Sequence, residues 1–209
     1  MDNKTAWYDQ EKIPKAMLDA ASGIVAGWKQ LEDSDHFSAL KQSIERCNNS
    51  KTILDLGCGA GEVSRVFKNL DYTGADLSHI IEKVAKKKNP NSKYINFDAN
   101  LDDFSFLNGF DVILMNSFLS EIPDYFKVLN KVLFYSKKYI VIHRQQFDER
   151  DSRIENYSTY SNLMTTKTII NYKEFFDLCY RNNFSIVLNI DSFGISDANK
   201  TLVLERQND

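Results

Sequence analysis

The run Ile53-Leu54-Asp55-Leu56-Gly57-Cys58-Gly59-Ala60-Gly61-Glu62 constrains this chain more than any other segment. An apolar strand enters a glycine turn and leaves it toward a helix. Glycine lets the backbone turn sharply and approach a ligand without Cβ interference, and the first amides of the helix then face that ligand. A glycine turn alone is a weak pointer, so its surroundings decide. Asp76 ends the next β-rich run about 20 residues after Asp55, where a carboxylate can accept both hydroxyls of a ribose. The third run ends in Phe97-Asp98-Ala99, and a carboxylate there can accept from an adenine amino group. A dinucleotide turn needs a small sixth residue for close helix-sheet packing, but that position is Glu62. Asp55 would also repel a pyrophosphate, whereas it suits a cationic amine.

Around this unit the chain reads as one α/β domain. Its 209 residues, 43% of them hydrophobic, suffice for a single substantial core. Residues 1–50 are helical in pattern and form an N-terminal cap belonging to the same domain. Pro14 opens a helix that continues through Ala16, Met17, Ala20, Ile24 and Trp28, and a second runs from about Ser38 to Cys47. Residues 51–209 form the core. Strands are expected over Thr52 to Leu56, Tyr72 to Ala75, Lys93 to Phe97, Asp111 to Met115 and Lys138 to His143, with helices between most of them. Phe184 to Asp191 and Thr201 to Glu205 leave no room for a crossover helix, so they form an antiparallel hairpin. The expected fold is a doubly wound, mostly parallel sheet of seven strands. The polar stretch from Gln145 to Thr168 is long for a connection and follows the fifth strand, on the side where such sheets bind ligands.

Charge and cysteine usage narrow the partners. A net charge of −3 gives no general attraction for a polyanion, so nucleic acid is not expected. Cys47, Cys58 and Cys179 are far apart and lack metal-ligand spacing, which reads as reduced thiols and no metal site. Met1 to Gln10 carries two acids and no apolar leader, and no apolar run approaches the roughly 18 residues of a membrane span. A cytoplasmic location is expected, without membrane contact.

The glycine turn with Asp76 and Asp98 resembles the class I S-adenosylmethionine (SAM) dependent methyltransferase family from about Lys51 to Arg206. The resemblance implies a Rossmann-like methyltransferase fold with SAM as cofactor and S-adenosylhomocysteine as product. It implies that Asp55, Gly57, Cys58, Gly59 and Gly61 cradle the methionine portion, that Asp76 and Leu77 hold the ribose, and that Asp98 and Ala99 meet the adenine. It also implies the antiparallel strand beside strand five.

Strand four ends in Met115-Asn116-Ser117-Phe118-Leu119-Ser120-Glu121-Ile122-Pro123-Asp124, similar to the fourth motif of small-molecule methyltransferases. Glu121 stands where a His is often seen, and the Asn-Pro-Pro-aromatic tetrad of base methylation is missing. Asn116 is taken as a cofactor contact. Phe110 to Phe147 with the closing elements is similar to bacterial methyltransferases associated with surface-polysaccharide gene clusters. The function this implies is O-methylation of a small polar acceptor, a carbohydrate or a phosphorylated carbohydrate precursor. The alternatives are N-methylation of a small amine and a catalytically silent SAM-binding partner protein. His143, near the end of strand five, is the candidate catalytic base or else a satisfied strand-end histidine. Arg144 is a candidate for binding an acceptor anion, or a structural ion-pair partner. Tyr157 and Tyr160 in the polar stretch, and Trp7 and Tyr8 near the start, are candidate lid contacts or ordered aromatics. His36 lies outside the expected core with no evident partner.

Overall fold

The computed structural model describes residues 12–22, 30–158, 164–194 and 198–207. Two helices lead the chain, α1 (Ile13–Ala21) with Pro14 in its first turn and α2 (Phe37–Arg46). Ile24, Trp28, Trp7, Tyr8 and Tyr160 lie outside the described residues. The alternating part follows with β1 (Thr52–Leu56), α3 (Val63–Val66) and β2 (Asp71–Asp76). Next come α4 (Ser78–Ile80) and α5 (Lys86–Lys88), joined through a π-helical turn over Ile81–Ala85. Then come β3 (Lys93–Asn96), β4 (Val112–Asn116), α6 (Tyr125–Tyr135) and β5 (Tyr139–Asp148). The chain closes with β6 (Arg153–Ser158), β7 (Met164–Asn171), α7 (Tyr172–Arg181), β8 (Phe184–Asp191) and β9 (Asn199–Arg206).

The parallel order is β3-β2-β1-β4-β5, with β9 antiparallel to β5 and β8 antiparallel to β9. This is the expected seven-stranded sheet. Period-two alternation explains why both faces are covered. Leu54, Ile113, Ile140 and Leu202 face a core completed by Leu129 and Leu133 of α6 and Phe175 of α7. Their neighbours Ile53, Val112, Val141 and Val203 face the other way, onto Leu40 and Ile44 of α2 and Phe67 after α3. Among the described residues no helix is long and apolar enough to cross a membrane.

The stretch from Gln145 to Thr168 departs from the expected irregular connection. β5 continues past His143 to Asp148, and β6 and β7 form an antiparallel hairpin with Arg153 opposite Ile169 and Ser158 opposite Met164. That hairpin meets the central sheet through Phe147 against Ile170 and Asp148 against Asn171. Asn171 then caps α7, its side chain accepting from the Glu174 amide at 2.9 Å. Thr165, Thr166, Thr168, Ile169 and Ile170 are β-branched, which suits a strand. The polar residues of β6 alternate between half-buried and exposed, so this strand shows no apolar run.

Candidate active site

A cavity of about 600 Å³ opens at the carboxyl ends of β1, β2, β3 and β4, beside the bulged part of β5. Gly57, Gly59 and Gly61 all have positive φ, 77°, 53° and 68°. The turn is folded over β2 by the Gly57 and Cys58 amides, which both donate to the Ala75 carbonyl, at 2.8 and 3.2 Å. A Cβ on Gly57 would sit 2.4 Å from Phe118 Cδ2, so glycine is required there by contact as well as by φ. Gly61 is set back from the cavity, its amide donating to the Cys58 carbonyl. Met17 of α1 covers the turn from above.

Asp55 is buried at the foot of this wall, and its Oδ2 accepts from the Tyr72 hydroxyl at 3.0 Å. Its Oδ1 has no hydrogen-bond partner among the described residues. Burial pushes the carboxyl up to about 7, against the pull of the Tyr72 hydroxyl and with help from the Asp76 charge. A ligand ammonium placed here would supply both the missing donor and the missing charge. Asp76 ends β2 half-buried, with Oδ2 accepting from the Gly59 amide and Oδ1 from the Leu77 amide, each at 2.8 Å. Burial raises its pKa despite these two amides. Each oxygen keeps a second lone pair, so the carboxylate can still receive two hydroxyls. Asp98 accepts from the Asn100 amide at 2.8 Å, and Asp98, Ala99 and Leu77 line the adjoining wall.

The opposite wall comes from β4, β5 and the hairpin. Ser117 and Arg144 both have positive φ, 60° and 59°, and the Ser117 amide donates to the His143 carbonyl at 2.8 Å. The β5–β9 ladder shifts register between Ile142 and Gln145, and this bulge aims Arg144 into the cavity. Its Nε donates to Asn116 Oδ1 at 3.0 Å, so Asn116 holds the guanidinium while itself lining the cavity. Glu121 reaches the wall from a 3-10 turn over Leu119–Glu121. It accepts from the Tyr157 hydroxyl at 3.0 Å on Oε1 and from Thr165 Oγ1 at 3.4 Å on Oε2, which ties the hairpin to β4.

His143 lies elsewhere. It shares a strand face with Tyr139 and Val141 and points under α2, fully buried and away from the cavity wall. Both ring nitrogens are engaged, Nδ1 with Thr201 Oγ1 at 2.7 Å and Nε2 with His36 Nδ1 at 3.0 Å. Direct contact with an acceptor, expected from its strand-end position, is therefore replaced by contact with His36. The expectation that His36 lies outside the core is also corrected, because His36 is buried and lines the cavity. It sits in the turn just before α2, where the sequence pattern gave no signal, and the partner is 107 residues away. Asp35, His36 and Phe193 are among the cavity residues that no motif had marked as ligands.

The chain is similar to known methyltransferases. A methyltransferase-domain family model matches residues 31–189. Among solved structures, the SAM-bound amino pentose methyltransferase of calicheamicin biosynthesis from Micromonospora echinaspora superposes with a TM-score of 0.64. It is 13% identical, over 87% of this chain and 95% of that one. A glycopeptide N-methyltransferase complexed with S-adenosylhomocysteine gives 0.62 at 12% identity, over 84% and 91%. The 1,6-didemethyltoxoflavin-N1-methyltransferase of Burkholderia thailandensis, with its acceptor and S-adenosylhomocysteine, gives 0.59 at 16%, over 84% and 80%. No curated protein matches the chain significantly in sequence. These likenesses share the fold, and the family match spans most of the chain from α2 through β8, so the chain belongs to the methyltransferase-domain family.

Proposed function

We propose that this chain transfers a methyl group from S-adenosylmethionine to a hydroxyl of a small polar metabolite, a carbohydrate or a phosphorylated carbohydrate precursor of bacterial surface polysaccharide. The observation that carries this reading is the division of one cavity into two walls of different chemistry. Asp55, the glycine turn, Asp76 and Asp98 offer oxygens to an amino acid end, a ribose and an adenine in sequence. Asn116, Glu121, Arg144 and Tyr157 form a polar wall opposite, suited to a hydrophilic acceptor. Bound against the first wall, the cofactor supplies an electrophilic methyl group on a sulfonium. The chain's residues then align the acceptor and exclude water, which suffices for much of the rate of an in-line displacement.

Arg144 is the only Lys or Arg among the described residues lining the cavity, against Asp35, Asp55, Glu62, Asp76, Asp98 and Glu121. One guanidinium suits an acceptor with a single phosphate or carboxylate. The same acidic lining favours a second reading, N-methylation of a small amine, with Glu121 facing the ammonium before its deprotonation. The three free cysteines support placement in the reducing cytoplasm.

Incubation with SAM and a panel of sugar phosphates, sugar nucleotides, free sugars and amines, read by mass spectrometry, tests the proposal. A sugar product heavier by one methylene supports it, an amine product moves the assignment to the second reading, and absence of SAM binding by calorimetry overturns both.

A further inference from the structure

We infer that His36 is the residue that takes the proton of the methyl acceptor, and that His143, Thr201 and Ser192 form a buried hydrogen-bonded chain positioning it. The inference rests on the methyl-transfer reading above and goes beyond it by naming the base. His36 stands at the start of α2 with its side chain against the cavity. From there the contacts run inward without a break. His36 Nδ1 lies 3.0 Å from His143 Nε2, His143 Nδ1 lies 2.7 Å from Thr201 Oγ1, and Thr201 Oγ1 lies 3.0 Å from Ser192 Oγ. Exposures are 3%, 0%, 0% and 1% along this chain, so water does not compete for its bonds. Phe193, another cavity residue, meets the His36 ring edge-on at 6.0 Å between centroids. Val141 and Val203, two positions along on the same strand faces, are buried and apolar. Four polar side chains in such a place are costly unless mutually satisfied, and their connection achieves that.

The chain can be polarised in one direction or the other. The Arg144 amide can only donate, and it does so to Ser192 Oγ at 3.2 Å. If Ser192 donates to Thr201, Thr201 donates to His143 Nδ1, His143 Nε2–H donates to His36 Nδ1, and His36 carries its proton on Nε2. In the reverse direction His36 Nδ1–H donates to His143 Nε2, His143 Nδ1–H donates to Thr201, and Nε2 holds a lone pair. That second state is a base directed by the first three members. Burial, followed by the Arg144 charge, pushes His36 down to about 3 and holds His143 well below the ordinary histidine value. Both rings are thus neutral at physiological pH, and the one proton between them fixes which tautomer His36 presents.

During transfer the acceptor oxygen forms its bond to the methyl carbon while the methyl–sulfur bond breaks and leaves its electron pair on sulfur. The acceptor proton passes to His36 Nε2, and the Nδ1 proton can shift to His143 Nε2. Positive charge vanishes at sulfur as it arrives on the imidazole pair, so the cavity's total charge is unchanged. Asp35, Asp55 and Glu62 share that cavity with the arriving charge, and Arg144 opposes it, which returns the proton to water after product release.

The test uses the full chain labelled with 15N and saturated with S-adenosylhomocysteine. Long-range imidazole spectra are assigned through His36→Gln and His143→Gln. Both rings should stay neutral from pH 5.5 to 8, and Thr201→Val should shift the His36 resonances through His143 with S-adenosylhomocysteine affinity within about twofold of wild type. An unchanged His36 spectrum in that variant, or either ring titrating alone near the ordinary value, overturns the chain. With any hydroxyl acceptor found in the panel, His36→Gln should lower kcat by at least about tenfold, less than a base titrating near the working pH would give, and added imidazole should restore part of the loss in His36→Gly. Full kcat in His36→Gln overturns the base. If wild type methylates no panel member, the ring coupling decides alone. Failure of wild type to bind S-adenosylhomocysteine counts against the methyltransferase reading and is separate from either result.

Discussion

Gly57 and Arg144 both have left-handed backbone, but they tolerate replacement differently. Gly57→Ala adds a Cβ 2.4 Å from Phe118 Cδ2 at a φ of 77°, and the contact is close to the root of the ring, so the turn itself must move. We expect a loss of roughly 2–4 kcal/mol in stability with weakened SAM binding, measured by denaturant unfolding and calorimetry. An alanine variant as stable as wild type would mean that the turn is more plastic than its φ values require. At Arg144 both Ala and Gly remove the guanidinium, yet only Gly relieves the φ of 59°. Arg144→Gly should therefore be the more stable of the two by about 1 kcal/mol, while both lose affinity for an anionic acceptor to a similar extent. Equal stabilities would show that the bulge relaxes in the alanine variant. Asp55 and Asp76 were legible as candidate ligands because a carboxylate near the end of a strand, beside a glycine turn, is itself the motif. His143 was legible only as a position. Its parity with Tyr139 and Val141 already directed it under a helix, and the identity of the partner there depended on a fold contact across 107 residues.

The hairpin of β6 and β7 is the element the sequence concealed. β6 reads Arg153-Ile154-Glu155-Asn156-Tyr157-Ser158, whose alternation is too polar to stand out from a loop. Its strand character is imposed by pairing with β7 and by Glu121, which accepts from Tyr157 and from Thr165. Removing the hydroxyl in Tyr157→Phe should loosen this tie by about 1 kcal/mol. Hydrogen exchange in β6 should accelerate several-fold while β1 and β4 amides keep their protection, and exchange unchanged in β6 would mean that the strand pairing holds the hairpin without Glu121. The parallel strands β1 to β4 were legible to within a residue or two, since each is a short β-rich run bounded by polar or glycine residues.

Across the whole molecule the pH dependence of folding should follow Asp55. Its pKa is raised in the folded state, so the fold binds this proton more tightly than the unfolded chain does. The favourable contribution is present below the ordinary carboxylate value near 4 and is lost as pH rises toward about 7. Cofactor binding should change in the opposite sense, because an ammonium favours the ionised carboxylate. The stabilisation by saturating SAM, about 2.7 kcal/mol at a hundredfold excess over Kd, should grow between pH 5.5 and 8. Asp55→Asn should flatten both trends, and thermal melts with and without SAM across that range measure them. A wild-type response to SAM that is flat over this range would mean Asp55 does not meet the ammonium. The doubly wound order itself followed from alternation of strand and helix along the chain, whereas the union of α2, β4, β5 and the hairpin around one cavity came from packing. Among the described residues the backbone ladder between hairpin and sheet pairs two residues, Phe147 with Ile170 and Asp148 with Asn171, and side-chain bonds from Glu121, Gln145 and Gln146 add to it. On the proposed function, acceptor preference thereby becomes a transplantable module. If the hairpin meets the acceptor as proposed, grafting a different one between Asp148 and Asn171 should redraw what the enzyme methylates while the glycine turn, Asp76 and Asp98, carried by other strands, are inherited intact.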